Sequence, residues 1–562
     1  MRLPIISSLL LLFVASGCTF LGSTENPVSA QAATAVSEER ATATSAPLET
    51  ATQQIPQIKL SPIGNSRQTE RQDVVVATAT LPPQLASRFA DATANAGIAT
   101  VDSQSLNNVS EYVVAWGDTL SRIASIHGLS VETLVAINDL QNPDLLKVGQ
   151  IIKLPQPPDA NGPSFRILPD ARLVRSYGAQ SFDVQRFVHA QPGILRKMGG
   201  TVVSRQADGR SVSISLSASE TVQRVSLDFS VDPRVLLAFL EYRAGLLSNL
   251  DVEGEQLLYP IFSPEASGGI DRPGLYAQLI WLADQLNYGY YGKKYRGDAI
   301  VDFVDGSRLL YHQDLNAGTA AIQHVFARMT SGASWATDVG DGGFYLVYRT
   351  LFGEPFADYE QGDATTLRQP KLSLPFRRGE VWRFTGGYHG GWGNGSAWAS
   401  VDFAPPKEAG PVSYCYTSSF PVTAVARGII ARLSEGAVIL DLDLDGNEGS
   451  GWTILYLHTT HAESLETGQI VEAGEVLGYP SCAGGYSTAT HLHIARRYNG
   501  EWIPADCVNC PASLRIPPFT MGDWQVVGLR NQAYQGFMVN SADNRSVIAE
   551  QGRYTNINQI SW

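Results

Sequence analysis

A chain of 562 residues is long enough for three or four domains, each burying a core of its own. Its 54 acidic against 41 basic residues leave a formal net charge of -13, which argues against a nucleic-acid partner and against a basic membrane-binding face. A polysaccharide recognised by hydrogen bonding and stacking is not excluded.

Met1-Arg2 and the apolar run ending Leu9 to Val14 are too short to span a bilayer and read as the hydrophobic region of a signal peptide. Ala15-Ser16-Gly17-Cys18 resembles a bacterial lipobox, with Ala15 where Leu is usual. That resemblance makes 1–18 a lipoprotein signal and Cys18 the lipidated N-terminus, which places the protein in the cell envelope on the outer face of the cytoplasmic membrane. The competing reading is an ordinary secretory signal, and on either the protein is exported. No later run is apolar and long enough for a transmembrane helix.

Residues 19–110, rich in Ala, Thr, Ser and Gln, cannot bury enough apolar surface to offset chain entropy and read as a disordered tether. About 90 such residues reach on the order of 50 Å. From Glu111 the pattern changes. Tyr112-Val113-Val114 is a short strand, Asp118-Thr119 opens a helix with Leu120, Ile123 and Ala124 on one face, a second helix runs from Ser130 to Asn138, and Leu146 to Pro155 returns as a strand. This βααβ unit, 111–155, resembles a lysin motif (LysM) in Gly117-Asp118-Thr119-Leu120, Ile137-Asn138 and Val148-Gly149-Gln150. The resemblance implies binding to glycans containing N-acetylglucosamine.

Residues 156–370 read as a mainly helical domain, with amphipathic runs at about Asp232 to Leu247, Gly274 to Leu286 and Ala317 to Met329. Asp232 is an N-cap with Pro233 at the first helical position, and Leu236, Phe239, Leu240 and Leu247 face a core. The run ending at Glu241 loosely resembles the acid-bearing helix of lytic transglycosylases. The alternative is a helical spacer or accessory binding domain.

Five of nine histidines fall between 389 and 493. His491 and His493 stand at i and i+2, so on a strand they share one face about 6.6 Å apart, which suits a metal ligand beside an acid/base. Asp402 can add an oxygen ligand, and His458 ends the apolar run Trp452-Thr453-Ile454-Leu455-Tyr456-Leu457. Two His and a carboxylate with a fourth position for water make a hydrolytic zinc site. His389, Asp402-Phe403-Ala404-Pro405, Tyr456-Leu457-His458, Val471 to Gly478 and Gly485 to His493 resemble, in order, the motifs of the lysostaphin-type zinc metallopeptidases of the Duplicated Hybrid Motif fold. Those enzymes cleave peptidoglycan. The resemblance implies that His389, Asp402 and His493 hold Zn2+ while His458 and His491 activate water or stabilise the oxyanion. Twelve residues, 390–401, separate the first His from the Asp, an interval that resembles the beta-lytic branch of the family. His461 has no counterpart there. Trp392 and Trp398, within the long interval, either wall a substrate groove or simply pack.

The peptidase region, 371–510, is followed by a β-rich tail, 511–562. In an exported protein Cys415, Cys482, Cys507 and Cys510 read as disulfides; three connectivities are possible, one of them Cys415 to Cys482 with a tight Cys507 to Cys510 loop. Asp441 to Glu448 imitates a calcium loop but has Trp452 where the bidentate Glu is needed, and reads better as a strand entering an Asp-Gly turn. The expected whole is a multidomain α+β protein with a βααβ lysin motif, a mainly helical middle domain, an antiparallel all-β metallopeptidase domain and a β-rich tail. Two functions fit: a lipid-anchored zinc endopeptidase acting on the peptide cross-links of peptidoglycan, or a non-catalytic wall-binding scaffold that activates another hydrolase.

Overall fold

A computed structural model describes residues 109–562, apart from 115–117, 121–122, 125–130, 139, 141, 143–144, 156–160, 265–270, 358–366, 512–513 and 552–555. The signal, the Cys18 lipobox and the tether up to 108 lie outside the described residues. Among those described, no helix is long and apolar enough to cross a membrane.

The first unit pairs β1 (Val109–Val113) antiparallel with β2 (Ile151–Pro155), with α1 (Val131–Ile137) between them. The anticipated face of Leu120, Ile123 and Ala124 is buried, together with Leu134, Ile152 and Leu154. Asn138 clasps β2, donating from Nδ2 to Lys153 O at 2.9 Å and accepting from Lys153 N at Oδ1, 2.6 Å.

After short helical segments between 170 and 197, the middle region forms a hairpin, β3 (Gly199–Arg205) and β4 (Ser211–Ser217), that runs straight into α2 (Ala218–Phe229). Ser217 and Glu220 form a reciprocal capping box at that junction. Ser217→Ala is expected to cost about 0.5–2 kcal/mol in a thermal or denaturant melt, since it frees the Glu220 amide. Helix α3 (Pro233–Ala244) starts on the anticipated Asp232 cap and ends at Gly245, whose φ of 62° suits glycine. Leu236, Phe239, Leu240 and Leu247 are fully buried. Glu241 is not free for glycan chemistry: its Oε2 accepts from the amides of Leu247 and Ser248 at 2.8 and 3.1 Å and so closes the turn after its own helix. Helices α4 (Leu275–Tyr291), α5 (Ala317–Ala327) and α6 (Phe344–Phe352) complete the bundle, with a small ribbon, β5 (Ile300–Asp302) and β6 (Arg308–Leu310), beside it.

The C-terminal half is built on a nine-stranded antiparallel sheet. Its strands are β7 (Trp382–His389), β8 (Ser400–Ala404), β10 (Gly428–Ser434), β11 (Ala437–Asp441), β12 (Trp452–Leu457), β14 (Ile470–Val471), β16 (Leu492–Tyr498), β17 (Glu501–Trp502) and β22 (Gln559–Ile560). Their order is β14-β10-β11-β12-β16-β8-β7-β22, with β17 paired to β16. A three-stranded sheet of β9 (Val422–Thr423), β13 (Thr459–His461) and β15 (Val476–Pro480) continues from it. The tail supplies β18 (Thr520–Met521), β19 (Trp524–Leu529), β20 (Gln532–Asn540) and β21 (Ser546–Ile548), and its Phe519, Met521, Trp524, Val526 and Met538 share the core of the main sheet.

The unbroken apolar runs of β11 and β12 have a physical reason. Alternate side chains point to opposite faces of a sheet, and here both faces are covered. Val438, Leu440, Ile454 and Tyr456 enter the core shared with the tail, whereas Ala437, Ile439, Leu455 and Leu457 enter the core built by the middle helices. The middle region is therefore the second layer over the sheet rather than a spacer. Buried charges reinforce the junction: Arg432 Nε and Arg497 Nη2 meet Glu448 at 2.6 and 2.7 Å, and Arg432 also faces Asp228 of α2 at 3.6 Å. The tip of the β3–β4 hairpin reaches the far loops, with Arg205 O and Ala207 O accepting from the amides of Gly484 and Cys482.

Candidate metal centre

Register brings the anticipated residues to one point. On β16 His493 lies opposite Asp402 of β8 and opposite Leu457 of β12, the residue before His458; Asp402 lies opposite Gly386 of β7, the strand that ends at His389. Gly386 is required there, because a Cβ at that position would lie 2.4 Å from Asp402 Oδ2. His458 has a φ of 60°, as β12 stops and the chain turns into β13. Its neighbour in space, His491, follows Thr490, whose hydroxyl donates to Tyr416 O at 2.7 Å and accepts from Tyr416 N at 2.9 Å. That loop is tied to the next by the Cys415–Cys482 disulfide, and Cys507 pairs with Cys510, the connectivity considered from sequence.

His389, Asp402 and His493 are buried, and one ligand atom from each lies within 4.8 Å of the other two. Asp402 Oδ1 is 3.2 Å from His389 Nε2 and 3.1 Å from His493 Nδ1, and the two nitrogens are 3.0 Å apart. A small divalent ion held tetrahedrally at 2.0–2.1 Å separates its ligands by about 3.3 Å, so the spacing fits. Protonation gives the sharper test. His389 Nδ1 lies 2.7 Å from Gly387 O and His493 Nε2 3.1 Å from Gly391 O. A carbonyl only accepts, so these outer nitrogens carry the protons and, in neutral rings, the inner nitrogens are bare. Two lone pairs facing each other at 3.0 Å repel, and a cation between them and Asp402 turns the repulsion into coordination.

His458 and His491 are oriented in the same way. Their Nδ1–H groups donate to Ala483 O at 3.0 Å and Ala489 O at 2.8 Å, and their rings lie 4.6 Å apart. His491 Nε2 comes within 3.8 Å of Asp402 Oδ1. Each of the four imidazoles thus spends one N–H on a main-chain carbonyl and turns the other nitrogen inward, the arrangement that fixes tautomers around a metal. Burial holds His458 well below the ordinary histidine value, helped by His491 and His493, and burial likewise lowers His493 against the opposing pull of Asp402. Burial raises Asp402, yet His389 and His491 outweigh it and keep the carboxyl well below its usual range.

His461, which has no counterpart in the family motifs, lies outside the cluster, though at the end of β13 rather than in a loop, with Nε2 3.0 Å from Ala437 O. Trp392 packs on the core of the middle helices. Trp398 lies edge-on to Tyr388 at the edge of the sheet core and lines a small cavity with Tyr291, Tyr295 and Asp506, whose lining includes none of the five clustered residues. Tyr534, on β20 of the tail, was not anticipated. Its ring stacks on His389 with centroids 4.2 Å apart, and burial with the Asp402 charge raises its hydroxyl pKa. No local signal marks it, since only the packing of β20 on β7 brings it in. The acids at 441–445 close their own turn, Asp441 Oδ2 accepting from Gly446 N at 2.9 Å.

Comparison with known proteins places three families along the chain. Residues 112–155 match the LysM domain, 166–365 the LasA N-terminal domain, and 409–504 peptidase family M23. The last match includes His458, His491 and His493 and begins after His389 and Asp402. "Protease LasA" of Pseudomonas aeruginosa (strain UCBPP-PA14) is 27% identical over 308 residues, covering 51% of this chain and 67% of that protein. "N-acetylmuramoyl-L-alanine amidase XlyB" of Bacillus subtilis (strain 168) is 46% identical over 67 residues, 12% of this chain and 21% of that one. Among solved structures, "A Novel M23 Metalloprotease Pseudoalterin from Deep-sea" aligns at 21% identity over 34% of this chain and 100% of its own, with a TM-score of 0.25.

Proposed function

From a chain that joins a lysin motif and a LasA N-terminal domain to a peptidase domain of family M23, we propose a zinc endopeptidase that hydrolyses peptide bonds in peptidoglycan. The observation that carries this reading is the pair of bare nitrogens, His389 Nε2 and His493 Nδ1, facing each other beside Asp402. These three residues would hold the ion. Zinc bound there supplies a Lewis acid for the scissile carbonyl and lowers the pKa of water toward neutrality.

The protein's own part is proton handling and orientation. With Nδ1–H anchored on Ala483 O and Ala489 O, His458 and His491 keep Nε2 unprotonated when neutral, and their rings lie 4.6 Å apart beside the cluster. One accepts the proton of the attacking water and the other, once protonated, donates to the charge developing on the carbonyl oxygen or to the leaving amine. Burial keeps His458 neutral and so an acceptor. Tyr534 steadies His389 through its ring. Tyr534→Ala is expected to weaken zinc binding by a few-fold up to about tenfold in a chelator competition, and Tyr534→Phe to restore it. Upstream, the lysin motif raises the local concentration of wall substrate, and lipid on Cys18 would hold the exported protein to the outer face of the cytoplasmic membrane.

The test is incubation of the zinc-loaded full chain with purified peptidoglycan. New amino termini without new reducing ends are expected, at a rate that falls when 109–155 is deleted and only on insoluble substrate. A folded chain that binds zinc yet frees no amines would overturn the peptidase and leave the scaffold.

A further inference from the structure

The twelve residues between His389 and Asp402 do not loop into solvent. Gly391 N donates to Ala397 O at 3.1 Å, Trp392 N to Ser396 Oγ at 3.1 Å, and Ser400 Oγ to both His389 O and Gly390 O at 3.0 Å. The folded loop is then pressed onto the middle domain. Asp284, on α4, accepts from Gly395 N at 2.8 Å. The approach is so close that a Cβ on Gly395 would meet Asp284 O at 1.9 Å, and one on Gly393 would meet Asp284 Oδ1 at 2.5 Å and Phe229 Cε1 at 2.8 Å.

A second grip lies nearer the metal ligands. Gly391 rests on the ring of Trp502, where a Cβ would lie 2.4 Å from Cε3. Trp502 is held by the middle domain in turn, donating from its amide to Tyr291 Oη at 2.9 Å and from Nε1 to Phe229 O at 3.3 Å. Gly391 O is the carbonyl that accepts the outer N–H of His493. An unbroken set of contacts thus runs from α4 through the loop to the tautomer of a candidate ligand.

We infer that Asp284 is a positioning residue for the metal centre: from the middle domain it pins the His389–Asp402 loop and so holds the Gly391 carbonyl that orients His493. The inference rests on the reading that the cluster binds zinc. It gives the middle domain a part in building the site, and it explains how a twelve-residue, glycine-rich insert between two ligands keeps one geometry. Glycines at 391, 393 and 395, where a Cβ would force a neighbour to shift, make the close docking possible.

Zinc affinity of the full-length apoprotein, measured by competition with a chromophoric chelator, tests this in Asp284→Ala, Asp284→Asn and Gly395→Ala. Asp284→Ala and Gly395→Ala are expected to bind zinc about 10- to 100-fold more weakly, the loss typical when a group orienting a ligand is removed. Asp284→Asn keeps an acceptor for the Gly395 amide and is expected within a few-fold of the parent. A role confined to holding the two layers together would lower the melting temperature of the apoprotein and leave zinc affinity alone. Parental affinity in a folded Asp284→Ala overturns the inference, whatever Gly395→Ala does. Should Asp284→Ala not fold, Gly395→Ala and the Asn rescue decide on the same readout. A parent that itself binds no zinc would instead overturn the metal reading of the cluster.

Discussion

His493→Ala is expected to take zinc content from about one ion per chain to near zero and to reduce release of peptide amines by at least about 10³-fold. The residue does three things at once. It would offer Nδ1 to the ion, faces Asp402 Oδ1 at 3.1 Å, and closes the 3.0 Å contact with His389. Alanine leaves one imidazole and one carboxylate, too few donors to hold a small divalent ion against water. His461→Ala is the matched control. That histidine turns its Nε2 to Ala437 O away from the cluster, and its removal is expected to leave zinc content and turnover unchanged. Metal analysis of both variants beside amine release decides the matter. Full zinc retention in His493→Ala would show that the ion, if bound, sits elsewhere.

The second large effect concerns the junction between the two layers. Glu448→Ala is expected to destabilise the protein by about 3–5 kcal/mol in denaturant unfolding near neutral pH, because buried Arg497 and largely buried Arg432 lose their shared carboxylate. Cutting one member of a buried ionic group costs more than the group is worth whole, since the charges left behind stay out of water. Linkage gives an independent signature. Burial raises the Glu448 carboxyl, but Arg432 and Arg497 outweigh it and bring its pKa down to about 2 from an ordinary 4.5. A carboxylate with a depressed folded-state pKa contributes stability above its unfolded value and loses it as the pH falls through the folded one. The window therefore runs from about pH 4.5 down to about pH 2, with about 3 kcal/mol at stake. Glu448→Gln is expected to lack that part of the acid sensitivity. A variant within about 0.5 kcal/mol of the parent would mean the arginines find other partners.

The site was more legible in the sequence than the assembly around it. Histidine patterns survive in short windows: an i, i+2 pair, a carboxylate ahead of an apolar segment, and a histidine at the end of an apolar run can be picked out wherever they lie. The structure brings those five residues together by register, which pairs His493 with Asp402 across one ladder. Helix starts were legible for the same local reason, as Asp232-Pro233 shows. What stayed open was a matter of context. Between wall and packing, Trp392 packs on the middle helices, which a glycine-rich stretch between two ligands gave no sign of.

Residue chemistry and periodicity by themselves determined the lysin-motif pattern, the apolar run Trp452 to Leu457, the ordered His and Asp motifs and the Asp232-capped helix of the middle region. Each depends on interactions within a few turns or a few strand residues. Only the tertiary structure decided that the middle helices cover the outer face of the peptidase sheet, that Tyr534 stacks on His389 from the far end of the chain, and that Asp284 reaches the loop between two ligands. An apolar run buried on one face and one buried on both can look alike along the chain. Which remote segment supplies the second face is settled by shape and burial when distant parts meet, and no short window contains that information.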